Sequence, residues 1–115
     1  MTFGDDKYSD CYILECIEKL NLSQWFSKFH NGLYSFISES SLSEGEAQII
    51  SLIRASLRTP SIIILDEATA HLDPKTEKLI TGAYKELFDK KTVVIIAHRL
   101  QTIQSVDKVM VLSYG

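Results

Sequence analysis

Long apolar runs are missing from this sequence of 115 residues. None approaches the roughly 20 residues that span a bilayer, so the segment is expected to be soluble, with no part crossing a membrane. Cysteine is scarce, and the two present, Cys11 and Cys16, fall on a predicted helix. Their spacing separates them by about 140° around the axis, a poor placement for a disulfide, and two sulfurs are too few for a zinc site. Both are expected to be reduced thiols of a cytosolic protein that serve in packing. Basic clusters are lacking beyond Lys90-Lys91, and the formal net charge is −3. Without a basic footprint, nucleic acid is not an expected partner. The opening MTFGDDKYSD is acidic and polar, the reverse of a secretory signal.

What remains is 45% hydrophobic, which suits a soluble domain with a modest core. Residues 1–58 read as a small helical subdomain. From Ser9 to Leu20 the residues Tyr12, Ile13, Cys16, Ile17 and Leu20 recur at helical spacing, and Ser23 is placed to cap a second short helix. HNGLYSFISESS follows as a loop with an Asn-Gly turn signal and room for a short extended piece.

Residues 59–115 read differently. SIIILDEA, TVVIIAH and KVMVLS are aliphatic runs without polar alternation, as expected of parallel strands covered on both faces. Between the first two, Asp73 is placed as a helix cap and Pro74 at the first helical position. The short RLQTIQSV separates the last two. The predicted class is therefore α/β, a parallel β-α-β-α-β unit behind a helical subdomain. Three parallel strands leave two open edges and half-covered faces, and the chain stops at Gly115 just after the last run. Both features predict a piece of a larger domain.

Three stretches carry candidate chemistry. The first apolar run delivers Asp66 and Glu67 to the C-terminal edge of the sheet, where open α/β folds bind ligands. Two carboxylates there suit a magnesium ion with a nucleotide phosphate, Asp66 holding the metal through water and Glu67 polarising the attacking water. The same dipeptide also suits a plain lead into a loop. His98 follows the next run in the same way, so two neighbouring strands would present His98 and Glu67 together. It could contact a γ-phosphate oxygen, or orient Glu67 and its water, or be an ordinary loop residue. In LSEGEAQIISLIRA, Ser43 and Glu46 fit the capping box S-x-x-E, and Gly45 would let a phosphate approach the helix N-terminus. A capped helix with no ligand satisfies that pattern too.

In this order and spacing, LSEGE, IIILDE, ATAHLD and AHRL resemble the signature motif, Walker B strand, D-loop and switch-histidine loop of an ABC-transporter nucleotide-binding domain. The resemblance covers nearly the whole chain, and DEATAHLD with AHRLQTI is similar to the exporter branch. It implies a partial P-loop NTPase-type fold and a sandwich of two such domains around ATP and Mg2+. Leu42, Ser43, Glu44, Gly45 and Glu46 would then face the ATP held by a second nucleotide-binding domain. Glu67 would be the general base, His98 the switch, Asp66 the magnesium residue through water and Asp73 a D-loop residue at the subunit contact. The implied partners are that second domain and transmembrane permease segments, and the implied location is the cytoplasmic face of a membrane. Two other readings remain: a non-catalytic docking or regulatory module, and a soluble ABC-type ATPase without a membrane partner.

The chain departs from the family pattern in two respects. Glycine is usual at the position of Glu44 and glutamine at that of Glu46. Two unit charges about 5 Å apart repel by roughly 3 kcal/mol at an effective dielectric of 20, enough to weaken the sandwich if Glu44 faces the phosphate. Glu46 can fold back onto the Ser43 amide in the capping box. The sequence also contains no G-x-x-x-x-G-K-[ST], the loop whose amides and lysine cradle phosphates, nor a counterpart of the glutamine loop or the adenine-stacking aromatic. These 115 residues alone are therefore expected neither to bind ATP tightly nor to hydrolyse it. The check is a steady-state ATPase assay on the isolated chain: a rate abolished by Glu67→Gln would contradict the expectation.

Overall fold

Helix α1 (Asp10–Lys19) begins at Ser9, whose Oγ accepts a hydrogen bond from the Tyr12 amide at 3.3 Å. Its buried residues Ile13, Cys16 and Ile17, with Leu20 just beyond, lie on one helical face. The helix stops in a Schellman closure. Asn21 adopts φ 58°, its amide donates to the Glu18 carbonyl at 2.9 Å, and the Leu22 amide donates to the Ile17 carbonyl at 3.0 Å. These contacts belong to a computed structural model, which describes residues 7–66, 72–98, 103–104 and 106–114.

That closure shifts the next helix. The sequence places a cap at Ser23, yet α2 (Ser23–Phe26) starts one residue earlier, with Leu22 in the cap position and no side-chain cap bond. Leu22 is fully buried as the end of the α1 closure, and its carbonyl already accepts the Phe26 amide at 2.9 Å. Serine is not needed where the backbone is so held. The loop beyond contains 3-10 turns at Gly32–Tyr34 and Glu39–Ser41, and no extended piece is assigned among its described residues. Gly32 has φ 54°, the left-handed geometry that the Asn-Gly signal predicts.

Helix α3 (Glu44–Leu57) carries the expected capping box between Ser43 and Glu46. It buries Ile49, Ile50, Leu52, Ile53 and Leu57 against α1 and against α4 (Pro74–Phe88), whose inner face presents Ile80, Ala83 and Leu87. Asp73 caps α4 and Pro74 occupies its first turn, both as predicted. One core cluster therefore joins α1, α3 and α4. Ile17, Leu20, Leu22, Ile49, Ile53 and Ile80 are its fully buried large side chains, each stabilising the fold by roughly 1.5–3 kcal/mol relative to exposure. The two cysteines are free, Cys16 buried and Cys11 exposed.

Strands β1 (Ile62–Asp66) and β2 (Thr92–Ile96) pair in parallel, Ile62 opposite Thr92 and Asp66 opposite Ile96. The class is α/β, with a small parallel sheet behind helices. Two details of the expected sheet are corrected. Its faces are not both covered: Ile63 packs on the core, whereas Ile62 and Ile64 are 64% and 72% exposed and Val94 and Ile96 lie bare beside them. The third run, KVMVLS, forms no strand, and Val109 to Leu112 are exposed. A strand gains pairing and coverage together, and a half-covered sheet offers this run no packed surface to settle on. The helix expected between the last two runs falls largely outside the described residues.

Of the described glycines, Gly45 has the tightest surroundings, at the point where α3 and α4 begin. A Cβ on Gly45 would stand 2.5 Å from Thr76 Cγ2 and 3.1 Å from Leu72 Cδ2. Gly45 has no left-handed φ, so the demand for glycine is spatial. Alanine would gain at most about 1 kcal/mol of helix propensity. Against that, overpacking should cost roughly 1–3 kcal/mol, so Gly45→Ala is expected to lower the urea midpoint. Thr76→Ser removes the offending methyl and should recover much of the loss. An equal loss in both backgrounds would show that the methyl is not what the new side chain meets.

Candidate functional site

The first turn of α3 is built by reciprocal bonds. Ser43 is extended (φ −70°, ψ 160°), which turns its side chain towards the helix, and its Oγ accepts the Glu46 amide at 3.2 Å. Glu46 folds back so that Oε2 accepts the Ser43 amide, also at 3.2 Å. The other oxygen, Oε1, pairs with the Lys28 ammonium. Lys28 in turn lies 5.0 Å from the Trp25 ring centroid and 5.2 Å from that of Phe29. The hydrogen bond from Lys28 is the main reason that the Glu46 carboxyl is held below the usual glutamate value, with partial burial acting in the opposite sense.

This geometry leaves definite chemical capacity. The Ser43 hydroxyl accepts the Glu46 amide and also lies within reach of the Glu46 carboxylate, which its proton helps to stabilise. The amides of Glu44 and Gly45 belong to the first turn, where no intrahelical carbonyl is available to them. Glu44 is exposed, whereas Leu42 is half-buried and packs against the core. Gly45 is buried, and what approaches its backbone is the side chains of Leu72 and Thr76. Room for a phosphate beside this turn is therefore confined to sides that α4 does not cover.

Asp73 belongs to the same corner. Its Oδ2 accepts the Thr76 amide at 3.0 Å, and its pKa is lowered first by the Thr76 hydroxyl and then by that amide. Thr76 also supplies the methyl against Gly45, so the cap of α4 and the first turn of α3 are linked through one residue.

The parallel register places Asp66 and the chain leading to His98 at one edge of the sheet. Asp66, the last residue of β1, lies opposite Ile96, and His98 follows Ile96 by two positions. Both are exposed. Glu67, the expected base, lies outside the described residues, as does most of ATAHLD before Leu72. Among the described residues no group of three or more His, Cys, Asp or Glu is arranged to hold a metal ion. A single exposed carboxylate at a strand end still fits an ion such as magnesium, which takes one or two protein oxygens and completes its shell with water and phosphate.

Lys28 and Thr76 are the site residues that motif reasoning misses. Lys28 had a signal: it is the sole lysine or arginine between Lys19 and Arg54, in a stretch with acids at Glu39, Glu44 and Glu46. Thr76 had none, since its methyl matters only once α3 and α4 are packed.

Residues 5–70 match the family model described as ABC transporter. The chain is 44% identical over 112 residues to the probable multidrug resistance-associated protein lethal(2)03659 of Drosophila melanogaster, covering 96% of this chain and 8% of the relative. It is 42% identical over 112 residues to an ATP-dependent lipid A-core flippase of Vibrio vulnificus, covering 96% and 19%. With ABC transporter B family member 14 of Arabidopsis thaliana the identity is 39% over 114 residues, covering 97% and 9%. The chain thus spans less than a fifth of the length of each of these three relatives.

The Glu46 bonds set a pH dependence whose sign is fixed. A carboxyl with a depressed folded pKa stabilises the fold above its unfolded value, and that stability is lost as pH falls through the folded value. Glu46→Gln should therefore destabilise the chain at neutral pH by roughly 0.2–1 kcal/mol, the range for an exposed pair. The gap to wild type should close below the ordinary glutamate pKa of about 4.3. Urea midpoints across pH measure it, and a gap that widens in acid would contradict the assignment.

Proposed function

The chain belongs to the ABC transporter family, and from that premise we propose that it is the rear portion of an exporter-type domain that binds and hydrolyses ATP to power transport across a membrane. The observation that carries this reading is the shared corner at Gly45, where the capped turn of α3 and the Asp73-capped start of α4 meet. Both elements would face the same ATP, held by a second nucleotide-binding domain.

In this reading the Ser43 hydroxyl turns its proton from the Glu46 carboxylate to a γ-phosphate oxygen, and the Gly45 amide adds a second donor along the helix dipole. Leu42 anchors the turn in the core. Glu46 stays committed to Ser43 and Lys28, and Glu44 projects into solvent, where screening reduces its repulsion of the phosphate. At the sheet edge, Asp66 serves the magnesium ion through water, and bound magnesium supplies charge neutralisation on the phosphates. Glu67 takes the proton of the attacking water as its oxygen bonds to the γ-phosphorus and the bond to ADP breaks. His98 contacts the γ-phosphate or orients Glu67. Asp73 reaches the opposing subunit, and transmembrane segments receive the motion at the cytoplasmic face of the membrane. The bare apolar face of the sheet also suits a second reading, a non-catalytic docking module.

The test is a complete ABC domain whose rear half is this chain. Glu67→Gln is expected to lower ATP hydrolysis by roughly 10²-fold or more, the share of a general base, while ATP-bound dimers accumulate. Hydrolysis that survives the substitution would remove Glu67 from its role, and no hydrolysis in the wild-type domain would favour the docking reading. Glu44→Gly should raise the dimer fraction only slightly, in keeping with an exposed side chain. A large rise would mean that Glu44 meets the phosphate.

A further inference from the structure

A continuous path of direct contacts leads from α2 to the start of α3. Trp25 and Phe29 flank the Lys28 side chain, its ammonium pairs with Glu46 Oε1, and Glu46 Oε2 accepts the amide of Ser43. The Ser43 hydroxyl closes the circuit by accepting the Glu46 amide. A lysine ordinarily samples many rotamers, and here two rings and a carboxylate limit it. We propose that Lys28 is a positioning residue for the phosphate-facing turn, clamping the Glu46 carboxylate so that the Ser43 amide and hydroxyl keep their capped orientation.

The clamp solves a problem particular to this sequence. An acid in the first turn of a helix is favourable to the helix dipole but opposes an incoming phosphate. Pairing with Lys28 makes the Glu46 side chain nearly neutral towards an anion, and it points the carboxylate towards α2 and the Ser43 amide. That this turn faces a phosphate rests on the proposed function; that Lys28 orients the turn does not.

The test separates the two. In the 115-residue chain, NMR would follow the titration of the Glu46 carboxyl and hydrogen exchange at the Ser43 amide. Lys28→Met keeps the apolar stem against Trp25 and removes the charge. It should move the Glu46 midpoint up towards the ordinary glutamate range and speed Ser43 exchange about tenfold, the worth of one modest hydrogen bond. Lys28→Arg should restore both values. In a Glu46→Gln background, Lys28→Met should leave Ser43 exchange within about twofold, because the coupled partner is gone.

A lysine that merely packs would spread its effect over α2 and α3 without moving the Glu46 midpoint, and that result would overturn the proposal. So would a failure of Lys28→Arg to rescue, or an undiminished effect in the Glu46→Gln background. ATP-driven dimerisation of the complete domain reads the phosphate-facing role: Lys28→Met should weaken it and Lys28→Arg preserve it. If the wild-type domain does not dimerise with ATP, the proposed function fails, while the NMR result still decides the role of Lys28.

Discussion

The missing side chain of Gly45 is the constraint on which the candidate site depends. Because nothing projects there, Leu72 and Thr76 can close onto the start of α3. That contact fixes where α4 begins, and with it the position of Asp73 relative to Ser43. The long helices then run together, burying Ile49 and Ile53 with Ile80 and Ala83 in one cluster that also receives Ile17 from α1. A side-chain contact on bare glycine backbone thereby helps to set two helices whose facing sides hold much of the core. Overpacking a junction of this kind is felt throughout, since close-packed interiors transmit strain.

The sheet obeys a weaker constraint. Pairing between β1 and β2 satisfies one edge of each strand, and Ile63 packs one face against the helical core. The opposite face remains apolar and exposed at Ile62, Ile64, Val94 and Ile96. Such a surface is stable when another layer covers it, and the relatives, of which this chain matches at most 19% in the three compared, contain far more chain than is present here.

Local features were legible in the sequence because their causes are local. Ser43 with Glu46, and Asp73 with Pro74, each mark a helix start by hydrogen-bonding chemistry that spans only three residues. The motif order was legible for a similar reason, since a strand ending in Asp66 and another leading to His98 place both at one edge whenever the strands are parallel. What escaped were effects of packing. Ser23 had the chemistry of a cap, but the buried closure at Leu22 took the position. KVMVLS had the composition of a strand, but composition alone cannot supply a neighbour. The close approach of the Thr76 and Leu72 side chains to Gly45 likewise depends on how α3 and α4 pack, which no local pattern states.

Trp25, the chain's one tryptophan, is buried at 8% exposure with the Lys28 ammonium above its ring. The tie between α2 and the start of α3 therefore ends on an intrinsic fluorophore. Indole emission responds to a nearby charge, so any event that draws Lys28 off the ring changes the colour or yield of the protein's own fluorescence. The chain carries an unlabelled optical reporter at the point where its helical part meets its candidate site, readable in real time and in any assembly that adds no further tryptophan nearby.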